Sequence, residues 1–358
     1  MDVRGLRAEF PVLERLAFLN AGTAGPVAAA SVAAAGHEIE RQALTGRTRA
    51  QSDRRSELRA AQRAAYAGLL GCRSDDVALT TSTTDAIQRA LGGLRLGSGD
   101  EVITSDEEHP GLLGPLQAAR DLLGVVVRQV PLAAVAEAVS PATRLIACSH
   151  VSWVTGACAP DGLAEVGVPI LLDGAQAVGA VPVDVASLGC DLYAASGQKW
   201  LCGPDGTGML YVSPAIRPRL ATVARSYNSF ENPAAGLDAT LAEGARRDDT
   251  PALAAEASAF ALAAERVLAA AGWAAVHERA QRLAGALADG LRERGRAVRP
   301  RGPTTLVSWR CDDAPAARDR LAAAGIVVRD LPGRSLLRAS VGAWNDESDL
   351  ERLLNALD

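Results

Sequence analysis

The sequence predicts an α/β protein: a large domain with a mainly parallel central sheet between helices, followed by a smaller α+β C-terminal domain. Short apolar segments alternate with Ala/Leu/Arg-rich helical segments up to about residue 250. From Pro251 the chain becomes strongly helical, and its 358 residues are enough for two domains. We therefore predict a large domain over residues 16–250 and a small domain that combines residues 1–15 with residues 251–358.

Seven apolar segments are the predicted strands of the large domain. They cover residues 77–80, 101–104, 125–130, 144–148, 169–172, 192–194 and 208–212. Helices are predicted between them at residues 84–93, 111–123 and 160–166. In sheets of this kind, ligands bind at the carboxyl ends of the strands, so side chains that directly follow a strand are the first candidates for a site.

The small domain is predicted to mix helices and strands. Residues 251–294 fit two helices with a break near Gly272, and a last helix fits residues 347–357. Three strands are predicted between these helices, at residues 305–310, 325–329 and 336–341.

Composition argues against several classes of partner. The formal net charge is −5 without a basic block, which argues against nucleic acid. No segment reaches the roughly 18–20 apolar residues of a membrane span. The six cysteines form no C-x-x-C pair, and no Cys/His cluster has zinc-ligand spacing. We therefore expect no metal site, no nucleic acid or membrane partner, and reduced thiols in a cytoplasmic protein.

Lys199 is the only lysine among 37 lysines and arginines. A guanidinium stays protonated and cannot serve as an amine nucleophile, so a single lysine in an arginine-rich chain is a candidate for chemistry that arginine cannot perform. The alternative is a surface lysine. Lys199 follows the predicted strand at residues 192–194, and this position favours an inward-facing, functional amine.

Asp173 follows the buried strand at residues 169–172. It could cap the next turn, which is a common role of aspartate. It could also hold the pyridine nitrogen of pyridoxal 5′-phosphate (PLP) protonated, so that the ring accepts electrons from an amino-acid Cα. The lysine and the aspartate together favour the second interpretation.

Hydroxyl groups and a histidine lie at two further strand ends. The run from Thr80 to Thr84 precedes a helix, where it could be an ordinary N-cap or a phosphate-binding site. With Asp173 and Lys199 in the same chain, we favour the phosphate site. His109 could stack on a pyridine ring, and for His150 a structural and a functional role remain equally open.

In this order, the motifs resemble those of the class V aminotransferase family, which has the type I fold of PLP enzymes. The resemblance extends from Phe18 to Val341. It implies that Lys199 forms a Schiff base with PLP and later moves the proton at the substrate Cα. It also implies that Asp173 pairs with the pyridine nitrogen, and that His109 stacks on the ring.

Further roles are implied by the same resemblance. Thr83, Thr84 and Ser196 are expected to bind the phosphate. Gln198 stands where many relatives have histidine. Thr250 is expected to be the phosphate ligand that each subunit of a homodimer contributes to its neighbour. Gln176 is expected to reach the ring hydroxyl, Asn20 to contact the substrate, and Arg338 to bind the substrate carboxylate, a bidentate task suited to guanidinium.

Two departures from the family pattern bear on the reaction. Desulfurases have a nucleophilic cysteine on the loop before the arginine, but residues 328–335 contain neither cysteine nor histidine. Trp153 stands where desulfurases usually have asparagine beside the ring. We therefore expect an enzyme that acts on an α-amino acid through an external aldimine and Cα deprotonation, as a C–S (cysteine-conjugate) lyase or an aminotransferase. An epimerase, a desulfurase-like enzyme and a catalytically silent PLP-fold protein are the alternatives.

Overall fold

The apolar segments between residues 77 and 212 form one seven-stranded sheet in the computed structural model, which describes residues 2–357. Met1 and Asp358, the two ends of the predicted small domain, lie outside the described residues. The strands are β1 (Ala17–Phe18), β2 (Val77–Thr80), β3 (Glu101–Ser105), β4 (Val126–Val130), β5 (Thr143–Ser149), β6 (Ile170–Asp173), β7 (Leu192–Ser196), β8 (Gly208–Val212), β9 (Leu306–Arg310), β10 (Ile326–Val327), β11 (Arg329–Leu331) and β12 (Leu336–Ser340). The helices are α1 (Val3–Ala8), α2 (Ala29–Thr45), α3 (Arg49–Leu70), α4 (Thr83–Gly93), α5 (Pro110–Leu123), α6 (Ala255–Ala270), α7 (Trp273–Glu293), α8 (Ala314–Ala323) and α9 (Glu347–Ala356).

The seven-stranded sheet has the order β2-β8-β7-β6-β5-β3-β4. Strands β3 to β7 pair in parallel, and β8 runs antiparallel to both of its neighbours. The predicted α/β fold with a mainly parallel sheet is confirmed. Because β3, β5, β6 and β7 are parallel neighbours, their carboxyl ends meet at one edge of the sheet, where they can build a ligand site.

Both faces of the sheet are buried. Leu171 belongs to the core cluster on one face and Leu172 to the cluster on the other. Since successive strand residues point to opposite faces, a strand covered on both sides needs an unbroken apolar run, which explains why these segments were recognisable in the sequence.

Two predicted elements are wrong. Residues 160–166 do not form a helix: only a short 3-10 turn is present, at Leu163–Glu165. Gly162 and Gly167 flank it with φ of +82° and +74°, and left-handed glycines end a helix. Residues 325–329 do not form one strand, because β10 and β11 separate at Val328 and pair in different sheets. Helices α1, α2, α3 and α8 were not predicted.

The C-terminal part contains the antiparallel sheet β11-β12-β9. The break between α6 and α7 falls at Gly272 as predicted, with φ of +82°. The N-terminal segment contacts this part: Arg7 donates to Asp349 at 2.7 Å. Strand β1 lies beyond residue 15 and still pairs with β10. The exact domain division therefore stays a prediction.

Within residues 2–357, no single helix is long and apolar enough to cross a membrane. Helices α6 and α7 pass the length and composition test only as a pair, and they are bent by 79° at their junction.

Candidate active site

A cavity of about 250 Å³ lies at the carboxyl edge of the large sheet, between that edge and the β11-β12 hairpin. All the predicted site residues except Asn20 and Thr250 line it. The lining residues are Gly22, Thr23, Ser82, Thr83, Thr84, His109, Gly111, Trp153, Asp173, Ala175, Gln176, Ser196, Gln198, Lys199, Arg329 and Arg338. Residues from seven separate segments of the chain, with the β11-β12 hairpin counted as one, thus meet in one place.

Lys199 and Asp173 share this cavity because β6 and β7 are adjacent parallel strands. Burial lowers the pKa of Lys199 to about 8, although the Asp173 carboxylate opposes this shift. Burial raises the pKa of Asp173, and Lys199 opposes that rise. Asp173 Oδ1 also accepts a hydrogen bond from the Ala175 amide at 2.9 Å. Because this pKa is lower than that of an ordinary lysine, a larger fraction of the Lys199 amine is unprotonated near neutral pH, and the unprotonated amine is the form that can act as a base.

Gly25 allows the lysine loop to pack against the N-terminal segment. Its amide donates to the Gln198 carbonyl at 2.8 Å. A Cβ at this position would lie 2.2 Å from the Lys199 carbonyl oxygen, a distance that no side chain can tolerate. The close approach of the two backbones requires glycine.

The start of α4 offers donors to an anion. Ser82 caps this helix by accepting from the Asp85 amide at 3.0 Å, and Thr83 and Thr84 follow as its first residues. The Thr83 Oγ1 and Ser196 Oγ atoms are buried and have no hydrogen-bond partner among residues 2–357. A buried hydroxyl without a partner is unfavourable, so these two atoms indicate a polar ligand group. A phosphate at the helix N-terminus satisfies this requirement.

His109 is held as a neutral ring. It is the N-cap of α5, and its Nδ1 accepts from the Gly111 amide at 3.0 Å. Burial lowers its pKa to about 4, and the positive charges of Lys199, Arg329 and Arg338 add to the shift. Because Nδ1 is an acceptor, the proton of the neutral ring is on Nε2. Trp153 packs against this ring edge to face, at 4.9 Å between centroids and 86° between planes.

Two guanidinium groups project into the cavity from opposite positions of the β11-β12 hairpin. Arg329 pairs in register with Arg338. Arg338 is 1% exposed, donates to the Trp153 carbonyl at 2.7 Å and has no partner for Nε. Burial lowers its pKa to about 9, and the charge of Arg329 adds to the shift. Among residues 2–357, neither arginine has an acidic partner. Like charges directly opposite destabilise a strand pair, so the arrangement indicates an anionic ligand.

Arg329 was missed in the sequence. The sequence shows two arginines nine positions apart, but only the register of the hairpin places them opposite each other. Its Nη1 donates to the Thr23 hydroxyl at 3.0 Å, and Thr23 in turn donates to Asn20 Oδ1 at 2.8 Å. Asn20 is not among the residues that line the cavity, and its hydrogen bond to Thr23 connects it to one that does. The expected contact of Asn20 with the substrate stays a prediction.

Gln176 is fixed by two contacts inside the cavity wall. Its Nε2 donates to the Gly22 carbonyl at 2.7 Å, and its Oε1 accepts from the Trp200 indole at 3.0 Å. An amide nitrogen has a second N–H, which remains for the predicted contact with a ring hydroxyl.

Thr250 lies outside its own chain's cavity. Its amide donates to the Leu79 carbonyl at 2.8 Å, and its carbonyl accepts from Arg59 at 3.1 Å. The predicted role of Thr250 in a neighbouring subunit stays a prediction. His150 is also outside the cavity: its Nδ1 lies 2.8 Å from the Tyr193 hydroxyl, and burial lowers its pKa to about 4. The contact favours the structural role for His150.

No cysteine is among the residues that line the cavity. The six cysteines are free thiols, and burial raises the pKa of Cys148, Cys190 and Cys202. A thiol with a raised pKa is mostly protonated and therefore a poor nucleophile.

The cavity fits PLP, the cofactor that the family resemblance implies. Lys199 supplies the only side-chain amine in the chain, and Asp173 supplies a buried carboxylate at the adjacent strand end. The unpartnered hydroxyls of Thr83 and Ser196 lie in the same cavity as the start of α4. These groups match the aldehyde carbon, the pyridine nitrogen and the phosphate of that molecule.

Comparisons with known proteins agree with this geometry. The family model for aminotransferase class V matches residues 18–353. A solved structure of a C-DES mutant, with glycine covalently linked to its PLP cofactor, is similar with a TM-score of 0.92 and 27% identity over 98% of each chain. The cystine C–S lyase C-DES in complex with its product cysteine persulfide is similar with a TM-score of 0.91 and 26% identity, over 97% of this chain and 98% of that one.

A curated relative matches over a shorter range. The cysteine desulfurase of Yersinia pestis (strain Pestoides F) is 38% identical over 159 residues, which cover 40% of this chain and 39% of the desulfurase. The chain thus matches less than half the length of that curated relative.

Proposed function

We infer that this chain, which belongs to the class-V aminotransferase family, is a PLP-dependent C–S lyase that acts on S-substituted cysteines. The proposal rests mainly on the side chains that line the cavity. The cavity combines one lysine with two guanidinium groups that lack acidic partners, and no thiol lines it. The similarity to the cystine C–S lyase C-DES supports the same reaction class.

The residues divide the reaction between them. When bound, PLP supplies a ring that accepts the electron pair left at Cα. Asp173 keeps the pyridine nitrogen protonated, and Arg338 binds the α-carboxylate in two hydrogen bonds. Lys199 takes the proton from Cα and can deliver it to the departing sulfur. The net change is RS–CH₂–CH(NH₃⁺)–COO⁻ + H₂O → RSH + pyruvate + NH₄⁺, which balances without an oxidant.

The other family reactions have less support from the same groups. Epimerisation requires a second proton donor besides Lys199, on the other face of Cα, and His109 is a titratable residue that lines the cavity. Its Nδ1 is committed to the Gly111 amide, and burial keeps its pKa at about 4. Persulfide formation on the enzyme requires a cysteine at the substrate, and none lines the cavity.

The presence of Arg329 in the cavity is evidence for a substrate that has a second carboxylate. Arg329 lines the cavity together with Arg338, and within residues 2–357 its guanidinium donates one hydrogen bond, to the Thr23 hydroxyl. An S-substituted cysteine whose leaving group also has a carboxylate, such as cystine, provides one anion for each arginine. We propose this class of substrate.

Pyruvate release is the test of the proposal. We expect the holoenzyme to release equal amounts of pyruvate and ammonia from cystine. Since a hydrogen bond to a charged group contributes about 1.5–3 kcal/mol, cystine should have a kcat/KM at least about tenfold higher than S-methylcysteine. Replacing Arg329 by glutamine should remove most of this preference while S-methylcysteine turnover is retained.

A variant with all six cysteines replaced by alanine is the matched control. It should keep the lyase activity within about twofold, because no thiol takes part. Loss of turnover in a folded, PLP-loaded cysteine-free variant would instead support a desulfurase. Turnover that requires a keto acid and releases no pyruvate would support an aminotransferase.

We also propose a homodimer in which Thr250 completes the phosphate site of the neighbouring subunit. Large apolar side chains are exposed on α2, at Val32, Ile39 and Leu44, and Tyr227 is exposed on the segment before Thr250. The C-terminal half of α2 contacts the segment after Thr250, where Gln42 Nε2 donates to Glu256 Oε2 at 3.1 Å. The Tyr227 hydroxyl donates to the Pro251 carbonyl at 2.9 Å, so this exposed ring lies against the Thr250 segment. Exposed apolar groups of this kind are typical of subunit contacts.

Replacing Thr250 by alanine should weaken PLP binding by about tenfold or more, because it removes one hydrogen bond to a charged group. The backbone contacts of Thr250 remain in this variant, and serine should restore the affinity. PLP titration of the cofactor-free protein measures the effect. Mixing this variant with Lys199→Ala should restore one complete site per mixed dimer. A monomer in sedimentation, or no recovery on mixing, contradicts the shared site.

A further inference from the structure

A second buried carboxyl group lies beside the cavity without lining it. Glu108 is 1% exposed, on the loop between β3 and α5. Its Oε1 accepts from the Ser105 hydroxyl at 2.5 Å and from the Ser149 amide at 2.9 Å, and its Oε2 accepts from the Ser149 hydroxyl at 2.5 Å. Among residues 2–357, no cation forms an ion pair with it. Both oxygens of the carboxyl group thus have hydrogen-bond donors, but no positive charge in the described part of the chain is paired with the group.

The position of Glu108 connects three strand ends at the site. Ser105 ends β3 and Ser149 ends β5, so the Glu108 carboxyl joins these two neighbouring strands. Ser149 is also in register with Asp173 at the end of β6. The next residue along the chain from Glu108 is His109. One side chain thus fixes the stacking histidine relative to the strand ends that hold Asp173.

We propose that Glu108 is a positioning residue that fixes His109 against the cofactor ring and keeps a proton at pH values where an exposed glutamate is ionised. The proposal rests on PLP as the bound group and does not depend on which amino acid is the substrate. The hydrogen bonds allow the proton, because each serine hydroxyl can donate or accept. In the protonated form Oε1 still accepts from the Ser149 amide, while Oε2–H donates to the Ser149 hydroxyl.

The surroundings of Glu108 favour the neutral form. Burial raises the pKa of Glu108 from 4.5 to about 7, the bonds from Ser105 and Ser149 oppose this rise, and the negative charge of Asp173 adds to it. The Cys148 thiol on β5 is close enough to interact with Glu108, and burial raises the pKa of this thiol. A neutral Glu108 leaves Asp173 as the single charge that faces the pyridine nitrogen.

The pH dependence of stability follows from this shift. The pKa of Glu108 is about 7 in the folded protein and about 4.5 when unfolded, so folding takes up a proton between these values. The contribution of Glu108 to stability is therefore fully present below about pH 4.5, and it is lost as the pH rises towards about 7 and above.

Glu108→Gln is the matched variant, because a glutamine reproduces the hydrogen bonds of the protonated glutamate. In the cofactor-free protein, we expect the melting temperature of this variant to rise relative to wild type as the pH increases from about 5 to about 8. A difference that is constant across this range would show that Glu108 does not hold a proton, and would overturn that part of the proposal.

Glu108→Ala tests the positioning role. In the holoprotein, we expect the visible circular dichroism of bound PLP to change and PLP affinity to fall by about tenfold, since the loss of the three hydrogen bonds of Glu108 frees the His109 loop. Glu108→Gln should retain both properties within about twofold. Unchanged dichroism and affinity in Glu108→Ala would reject the role. Neither readout uses a substrate, so failure of the lyase assay leaves this test intact.

Discussion

Replacing Lys199 by alanine is expected to reduce lyase turnover by about 10³-fold or more. The change removes the covalent link to PLP and the base that takes the Cα proton, and general acid–base catalysis alone contributes about 10²–10⁴-fold. Lys199→Arg should be equally inactive, because it restores the positive charge but not an amine that can lose its proton. Turnover is measured as pyruvate release from cystine.

The single lysine permits a direct structural measurement of the same prediction. A protease that cleaves only after lysine should cut the unfolded chain once, into fragments 1–199 and 200–358. Treatment of the holoenzyme with borohydride should fix the cofactor on Lys199 and prevent this cut. A chain that is still cut completely after reduction, or a purified protein that takes up no PLP, contradicts the central assignment.

Much of the site was predictable because its residues follow buried strands. Lys199 and Asp173 could be found from an apolar segment followed by a polar residue, a local pattern that needs no knowledge of strand order. The structure adds that β6 and β7 are adjacent and parallel, which turns two separate patterns into one site. Parallel strands buried on both faces have unbroken apolar runs, and these are among the clearest signals in a sequence.

The residues that sequence reasoning missed depend on contacts between distant segments. Arg329 enters the site because β11 pairs with β12 in one particular register, and a shift of one residue would turn its side chain away. Glu108 precedes a predicted site residue, but its burial depends on serines at the ends of two strands. Helices α2 and α3 were missed because α2 is rich in alanine and α3 in alanine and arginine, and their few large apolar residues show no clear helical period.

The charged side chains that line the cavity are mostly positive. Arg329, Arg338 and Lys199 are three groups that can be positive, whereas Asp173 is the only acidic residue in the lining. In the proposed reaction, the phosphate of PLP and the carboxylates of the substrate would balance this excess of positive charge. Asp173 is then free to act on the pyridine nitrogen, since each anionic group of the ligands has a cation or a helix N-terminus of its own.

Replacing Asp173 by asparagine is therefore expected to separate cofactor binding from catalysis. We expect turnover to fall by about 10²–10³-fold, the usual effect of removing one preorganised electrostatic contact from an active site. Borohydride should still fix PLP on Lys199 in this variant, because the amine is unchanged. Pyruvate release and the amount of fixed PLP are the two measurements.

The thermal stability of the Asp173→Asn variant shows whether a loss of turnover comes from unfolding. Asparagine retains the Oδ1 that accepts the Ala175 amide, so the turn after β6 should stay intact. Burial raises the pKa of Asp173, which means that burying its charge is unfavourable, and a neutral amide should not destabilise the cofactor-free fold. Asp173→Glu, which keeps the charge but lengthens the side chain, should recover only part of the turnover. Full activity in a folded Asp173→Asn variant would show that no protonated pyridine nitrogen is needed, and the proposed division of labour between Asp173 and Lys199 would be wrong.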